Sequence, residues 1–168
     1  MNAPRIVASA GESKKPRPID SSQTWYLLGW TALAFLVVGG VDFALTWYPP
    51  DFGNREWEFG TVTASLNGLP ILLLGISILL AASLRTGRRW WAALALIASL
   101  VMLLWVTLGA VLWATNVPLA LKSVPAQLAV GIRKSLAKTV VQSLVYPLVL
   151  AFLMVRSAGA LRSGAPER

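Results

Sequence analysis

WWAALALIASLVMLLWVTLGAVLW, from Trp90 to Trp113, carries no charged side chain, and its only hydroxyls are Ser99 and Thr107. A helix in water needs a polar stripe, and this one is apolar all the way round, so its solvent is lipid. Crossing a hydrocarbon core of about 30 Å takes roughly 20 apolar residues in a helix. Trp25 to Thr46 and Thr61 to Leu84 also meet that length, and Thr139 to Val155 falls just short of it. The expected fold is all-α: an integral membrane four-helix bundle of two helical hairpins, with an amphipathic segment ahead of the fourth span. Residues 24–156 form the transmembrane domain in this reading.

The composition agrees, with 13% charged residues over 168 positions and a mean hydropathy of +0.64. Cysteine and histidine are both missing. That removes thiolate nucleophiles, disulfides, the usual zinc, haem and iron–sulfur ligands, and imidazole ligation of a pigment. It also removes the common general base near neutral pH. A non-catalytic protein with no cofactor is expected.

The net charge of +8 is juxtamembrane, which points to topology and lipid headgroups, not to nucleic acid. Arg5, Lys14, Lys15 and Arg17 precede the first span, Arg85, Arg88 and Arg89 fill the second loop, and Arg156, Arg162 and Arg168 follow the fourth span. The opposite side receives Arg55, Lys122, Arg133, Lys134 and Lys138. The positive-inside rule then places both termini in the cytoplasm of a bacterial-type inner membrane. Residues 1–23, rich in proline and charge, read as a disordered cytoplasmic tail, and residues 157–168 as a short second one.

Aromatic residues mark the span ends: Trp25 and Tyr26, Trp47 and Tyr48, Trp90 and Trp91, and Trp113. Small residues (Gly29, Gly39 and Gly40; Gly68 and Gly75; Ala92, Ala95 and Ser99) permit close helix approach, either inside the bundle or against another subunit. Pro70 lacks an amide hydrogen and clashes with the Leu66 carbonyl. A kink is expected there, together with a replacement donor from a neighbouring helix or water. From Pro125 onward, Ala129, Ile132, Leu136 and Val140 share one face, and Gln127, Gly131, Lys134 and Lys138 the other. This amphipathic helix either stands upright on span four or lies along the interface.

Counting inward from the span ends brings Asp42, Asn67, Thr107, and Gln142 with Ser143 to similar depth on four helices. They are the expected intramembrane polar layer. Asp42 is the single acid within a predicted span, and an ionised carboxylate there needs pairing or hydration. Arg133 and Lys138 are its candidate charge partners, with Asn67 and Gln142 as alternatives. As structure, such a layer is hydrogen-bonding glue; as function, it is a protonatable site or solute cavity.

The loop before the second span, WYPPDFGNREWEFG, is the most distinctive segment. Its prolines stop span one, Gly53 and Asn54 permit a turn, and Glu56 and Glu58 sit where carboxylates favour the positive end of a helix. Trp47, Tyr48, Asp51, Phe52, Arg55, Glu56, Trp57, Glu58 and Phe59 make a candidate docking loop, because aromatic residues with an arginine are common interface anchors. From Pro49 to Thr61 the chain resembles small, uncharacterised bacterial four-span membrane proteins that carry a proline turn and a DFGN-x-EWEFGT-like segment. The resemblance implies a membrane protein of that kind and brings no activity and no site residues. The DFG at Asp51 to Gly53 lacks every other kinase element.

The expected function is an accessory or scaffold subunit of a larger respiratory, photosynthetic or transport assembly. Its partners would be the bilayer and either other membrane subunits or copies of itself. The alternative is a small solute or ion transporter or channel acting as a homo-oligomer.

Overall fold

The computed structural model describes residues 21–120 and 129–163, all but the short turns as helix. Four helices follow in order: α1 (Ser21–Thr46), α2 (Arg55–Thr86), α3 (Arg89–Ala120) and α4 (Ala129–Ser163). All four are long and apolar enough to cross a membrane. With no water in the bilayer core, each must satisfy its backbone internally, and a helix does so.

α2 is the hub, packing against each of the other three helices, and α4 rests chiefly on α3. The most apolar window of α2 is 44% buried, against 17% for α1 and for α4. α1 and α4 do not form a packed pair. The α2–α3 hairpin is closed by Gly87, whose left-handed φ of 68° ends α2 while its N–H donates to the Ser83 carbonyl at 2.9 Å. The Ser83 hydroxyl continues the lock by donating to the Arg88 carbonyl at 3.0 Å.

The core of Leu66, Leu69, Ile76, Leu79, Trp91 and Leu150 is apolar, but so is much of the outer surface, and polar side chains are drawn inward. Ser65, Ser83, Ser99, Thr139, Gln142 and Ser157 are buried, whereas Leu27, Val37, Leu108, Leu144 and Leu148 are exposed. Lipid tails are as apolar as leucine, so nothing drives these side chains inward. Beside its apolar side chains the interior holds small residues that let backbones approach and polar ones that can bond across helices. This is why the expected apolar face of α4 is rotated in the structure. Ile132 and Leu136 do turn inward in part, but Val140 is exposed and Thr139 is buried in its place.

The helices are longer than their apolar windows. α2 begins at Arg55, so Glu56, Trp57, Glu58 and Phe59 belong to its opening turns and not to a loop. α3 continues beyond Trp113 to Ala120, and α4 runs from Ala129 to Ser163 without a break, about 50 Å at 1.5 Å per residue. Residues 129–138 are therefore the upright start of the fourth span, and that span is not short; 125–128 lie outside the described residues. Ser21 to Gln23 and residues 157–163, expected as tail, are helical. The rest of both expected tails lies outside the described residues.

The small residues are mostly consumed within the bundle. A side chain on Gly29 would run into the ring of Trp91, and a Cβ on Gly39 would lie 2.8 Å from Leu72 Cδ2. One on Gly75 would lie 3.2 Å from the Ala32 carbonyl oxygen. Of the two placements open to these residues, Gly29, Gly39 and Gly75 take the one inside the bundle and are not offered to another subunit. Gly40, with nothing within 4 Å of its added Cβ, remains open.

Candidate functional site

The prolines after α1 and the turn at Gly53, whose φ is 95°, bring the chain back onto α2. Asn54 caps that helix. Its side-chain oxygen accepts from the amides of Glu56 at 3.2 Å and Trp57 at 3.3 Å, while its amide group donates to Asp51 Oδ2 at 2.8 Å. Glu58 folds back so that Oε1 accepts the Gly53 N–H at 3.0 Å, and its Oε2 accepts from Asn116 Nδ2 on α3 at 2.8 Å. One carboxylate therefore ties the turn to its own helix and to the far end of α3. Arg55 and Glu56 are exposed beside it.

Trp47 anchors the aromatic side of the same turn. Its indole N–H donates to Ser65 Oγ at 3.0 Å. Edge-on contacts at 5.6 Å join its ring to both Trp57 and Trp105, and Phe43 meets Trp105 edge-on at 4.5 Å. Phe59 stacks on Trp113 at 5.8 Å. Such pairs contribute about 0.5–1.5 kcal/mol each beyond area burial. The rings of Trp47, Trp57 and Phe59 are thus part of the bundle. Tyr48 and Phe52, 75% and 71% exposed, form the free rim. Phe52 is nonetheless held from beneath by Trp57, ring to ring at 5.5 Å.

The polar layer is only partly assembled. Gln142, buried on α4, directs Nε2 at the Leu66 carbonyl at 3.5 Å, at Asn67 Oδ1 at 3.4 Å and at the Tyr146 hydroxyl at 3.0 Å. The Leu66 carbonyl is the one freed by Pro70, so a neighbouring helix supplies the donor that the sequence called for. Gln142 Oε1 and Ser143 Oγ are buried without a hydrogen-bond partner among the described residues. Asp42 and Thr107 are not part of this cluster. Asp42 is exposed on α1, its carboxylate 3.2 Å from where a Cβ on Gly68 would sit. Arg133 and Lys138 lie on α4, which does not pack on α1, so the expected charge pair is not formed. Thr107 faces outward and bonds only its own helix, donating to the Leu103 carbonyl at 2.8 Å.

Asn116 and Tyr146 are the site residues that sequence reasoning missed. Asn116 lies beyond the apolar stretch that ends at Trp113, yet Met102, Val106, Gly109, Trp113 and Asn116 follow one another at helical spacing on one buried face. That spacing is the signal that marks it. Tyr146 stands one turn after Gln142, at i+4, the position from which a side chain reaches its predecessor.

No protein-family model, curated protein or solved structure matches this chain. A functional reading therefore rests on the rim, the carboxylate tie and the Gln142 cluster. Among the described residues no group of acids that could hold a metal ion occurs.

Proposed function

We propose that this chain is a non-catalytic accessory or scaffold subunit of a larger membrane assembly, seated in a bacterial-type inner membrane with both termini cytoplasmic. Its docking element is the rim of Tyr48 and Phe52. The observation that carries the reading is the contrast between two strongly exposed rings and the rigid base beneath them. Ordering a flexible loop on binding opposes association, and a loop already fixed by Asn54, Glu58 and Trp47 escapes much of that cost. Aromatic rings on such a base are the residue types that dominate interface energetics.

The alternative of a transporter or channel draws on the backbone opened by Pro70. Its carbonyl already receives Gln142, which favours the docking reading. Mass spectrometry of the complex extracted from its native membrane in mild detergent tests the choice, comparing wild type with the Tyr48→Ala, Phe52→Ala double variant. Stoichiometric foreign subunits that fall away in the variant are the expected result. Only self-copies in both samples would move the reading to the homo-oligomeric transporter.

A further inference from the structure

α1 touches α3 through aromatic rings near both of its own ends, and the two helices part in between. At one end Tyr26 and Trp30 contact Trp91 and Trp90, with ring centroids 5.9 and 6.3 Å apart, and at the other Phe43 and Trp47 close on Trp105. Between these aromatic bars lies a groove of about 380 Å³, floored by Leu72 and Ile76 of α2 and walled by Val37 and Gly40 on one side and Ile97 and Val101 on the other. It is open toward lipid and its lining is apolar throughout.

The arginine turn stands directly above it. At 1.5 Å per residue, Ile97 and Val101 lie roughly 12 and 18 Å along α3 from Arg89, and half of a hydrocarbon core is about 15 Å. The groove therefore opens in the leaflet that Arg85, Arg88 and Arg89 border and reaches the bilayer midplane near Val101. Arg88 and Arg85 are positioned over the Tyr26 and Trp25 rings, 4.6 and 5.7 Å from their centroids. The acids among the described residues, Asp42, Asp51, Glu56 and Glu58, all lie toward the opposite end of the helices. The first turn of α3 carries no acidic residue, so the positive end of that helix adds to the arginines' field without a carboxylate to offset it.

We propose that this is a site for one anionic phospholipid. The phosphate sits on Arg88, Arg89 and the opening amides of α3, and one acyl chain runs past the Trp30–Trp90 pair into the groove. The bare surface of Gly40 makes the room for that chain.

The test is native mass spectrometry of the full chain, delipidated in detergent and titrated with dioleoyl phosphatidylglycerol or dioleoyl phosphatidylcholine. Wild type is expected to retain one phosphatidylglycerol, bound on the order of tenfold more tightly than phosphatidylcholine. Arg88→Gln with Arg89→Gln should erase that preference. Gly40→Leu should weaken phosphatidylglycerol by about tenfold while leaving the thermal midpoint in detergent alone unchanged, and Val37→Phe, from the same exposed wall, repeats the test should Gly40→Leu fold poorly. Equal retention of the two lipids, or phosphatidylglycerol binding indifferent to both groove variants, would overturn the proposal. So would loss of a protein copy, in place of lipid, from the groove-filled variants.

Discussion

Leu66 loses its intrahelical donor because residue 70 is proline, and Gln142 replaces it from α4. The two positions should therefore be coupled. Gln142→Leu is expected to destabilise the protein by about 1 kcal/mol, near the values found for interhelical hydrogen bonds in membranes. Pro70→Ala returns an amide to Leu66, so Gln142→Leu made in that background should cost visibly less. A double-mutant cycle of unfolding in mixed micelles checks this, and strict additivity would mean that the two residues act independently. Gly29 gives a second case at this scale. Its missing Cβ is the space taken by the Trp91 ring, which is fully buried, so Gly29→Ala should cost about 1–3 kcal/mol by overpacking. Gly40→Ala, facing open space, should be neutral or slightly stabilising in the same thermal assay. The orphaned carbonyl was legible from Pro70 alone, because the i−4 rule names its atom. The Asp42 layer was not, because depth can be counted along a helix but azimuth depends on which neighbours pack where. With α1 and α4 on different faces of the hub, equal depth did not bring Asp42 to Arg133 or Lys138.

At the scale of elements, hydropathy gave the number and order of helices and misplaced their ends. A helix does not stop where its apolar window stops. In the interface it continues as long as polar side chains reach water and the ends find caps, as Asn54 does for α2. The extra turns matter for the candidate site, since Asn116 and Glu58 both lie in them and join α3 to α2. Asn116→Ala removes one of the two groups that hold the Glu58 carboxylate. The expected outcome is faster amide hydrogen exchange over residues 51–58, with exchange in the middle of α1 and α2 unchanged, read by mass spectrometry in detergent. Uniformly faster exchange would show that Asn116 supports the whole bundle and not the turn. The same helix extension decides the posture of 129–138, because α4 is unbroken from Ala129 and its one proline, Pro147, lies beyond that segment. Spin labels placed singly along 130–145 should show one unbroken 3.6-residue period of lipid accessibility, whereas a helix lying on the surface would break the period near Ser135.

For the whole molecule, four antiparallel helices place the Arg85–Arg89 turn, the start of α1 and the end of α4 at one end, and the aromatic turn with Asn116 at the other. Which end faces the cytoplasm is then a question of charge. The arginine end carries Arg85, Arg88, Arg89, Arg156 and Arg162 close to the span ends, while Arg55, Arg133, Lys134 and Lys138 sit at the other. These described residues alone are nearly balanced, and the excess comes from Arg5, Lys14, Lys15, Arg17 and Arg168 against Lys122. Orientation should therefore depend on the N-terminal cations. A green fluorescent protein fused after Arg168 is expected to fluoresce, as it folds only in the cytoplasm, and an alkaline phosphatase fused at the same place should be inactive. Changing Lys14, Lys15 and Arg17 together to Gln should raise the fraction of phosphatase-active molecules. If phosphatase is active in the wild-type fusion, the Tyr48–Phe52 rim faces the cytoplasm, and its docking partner must be sought there. The lipid proposed for the α1–α3 groove would then have to come from the outer leaflet, and a leaflet poorer in anionic headgroups would fill the site less.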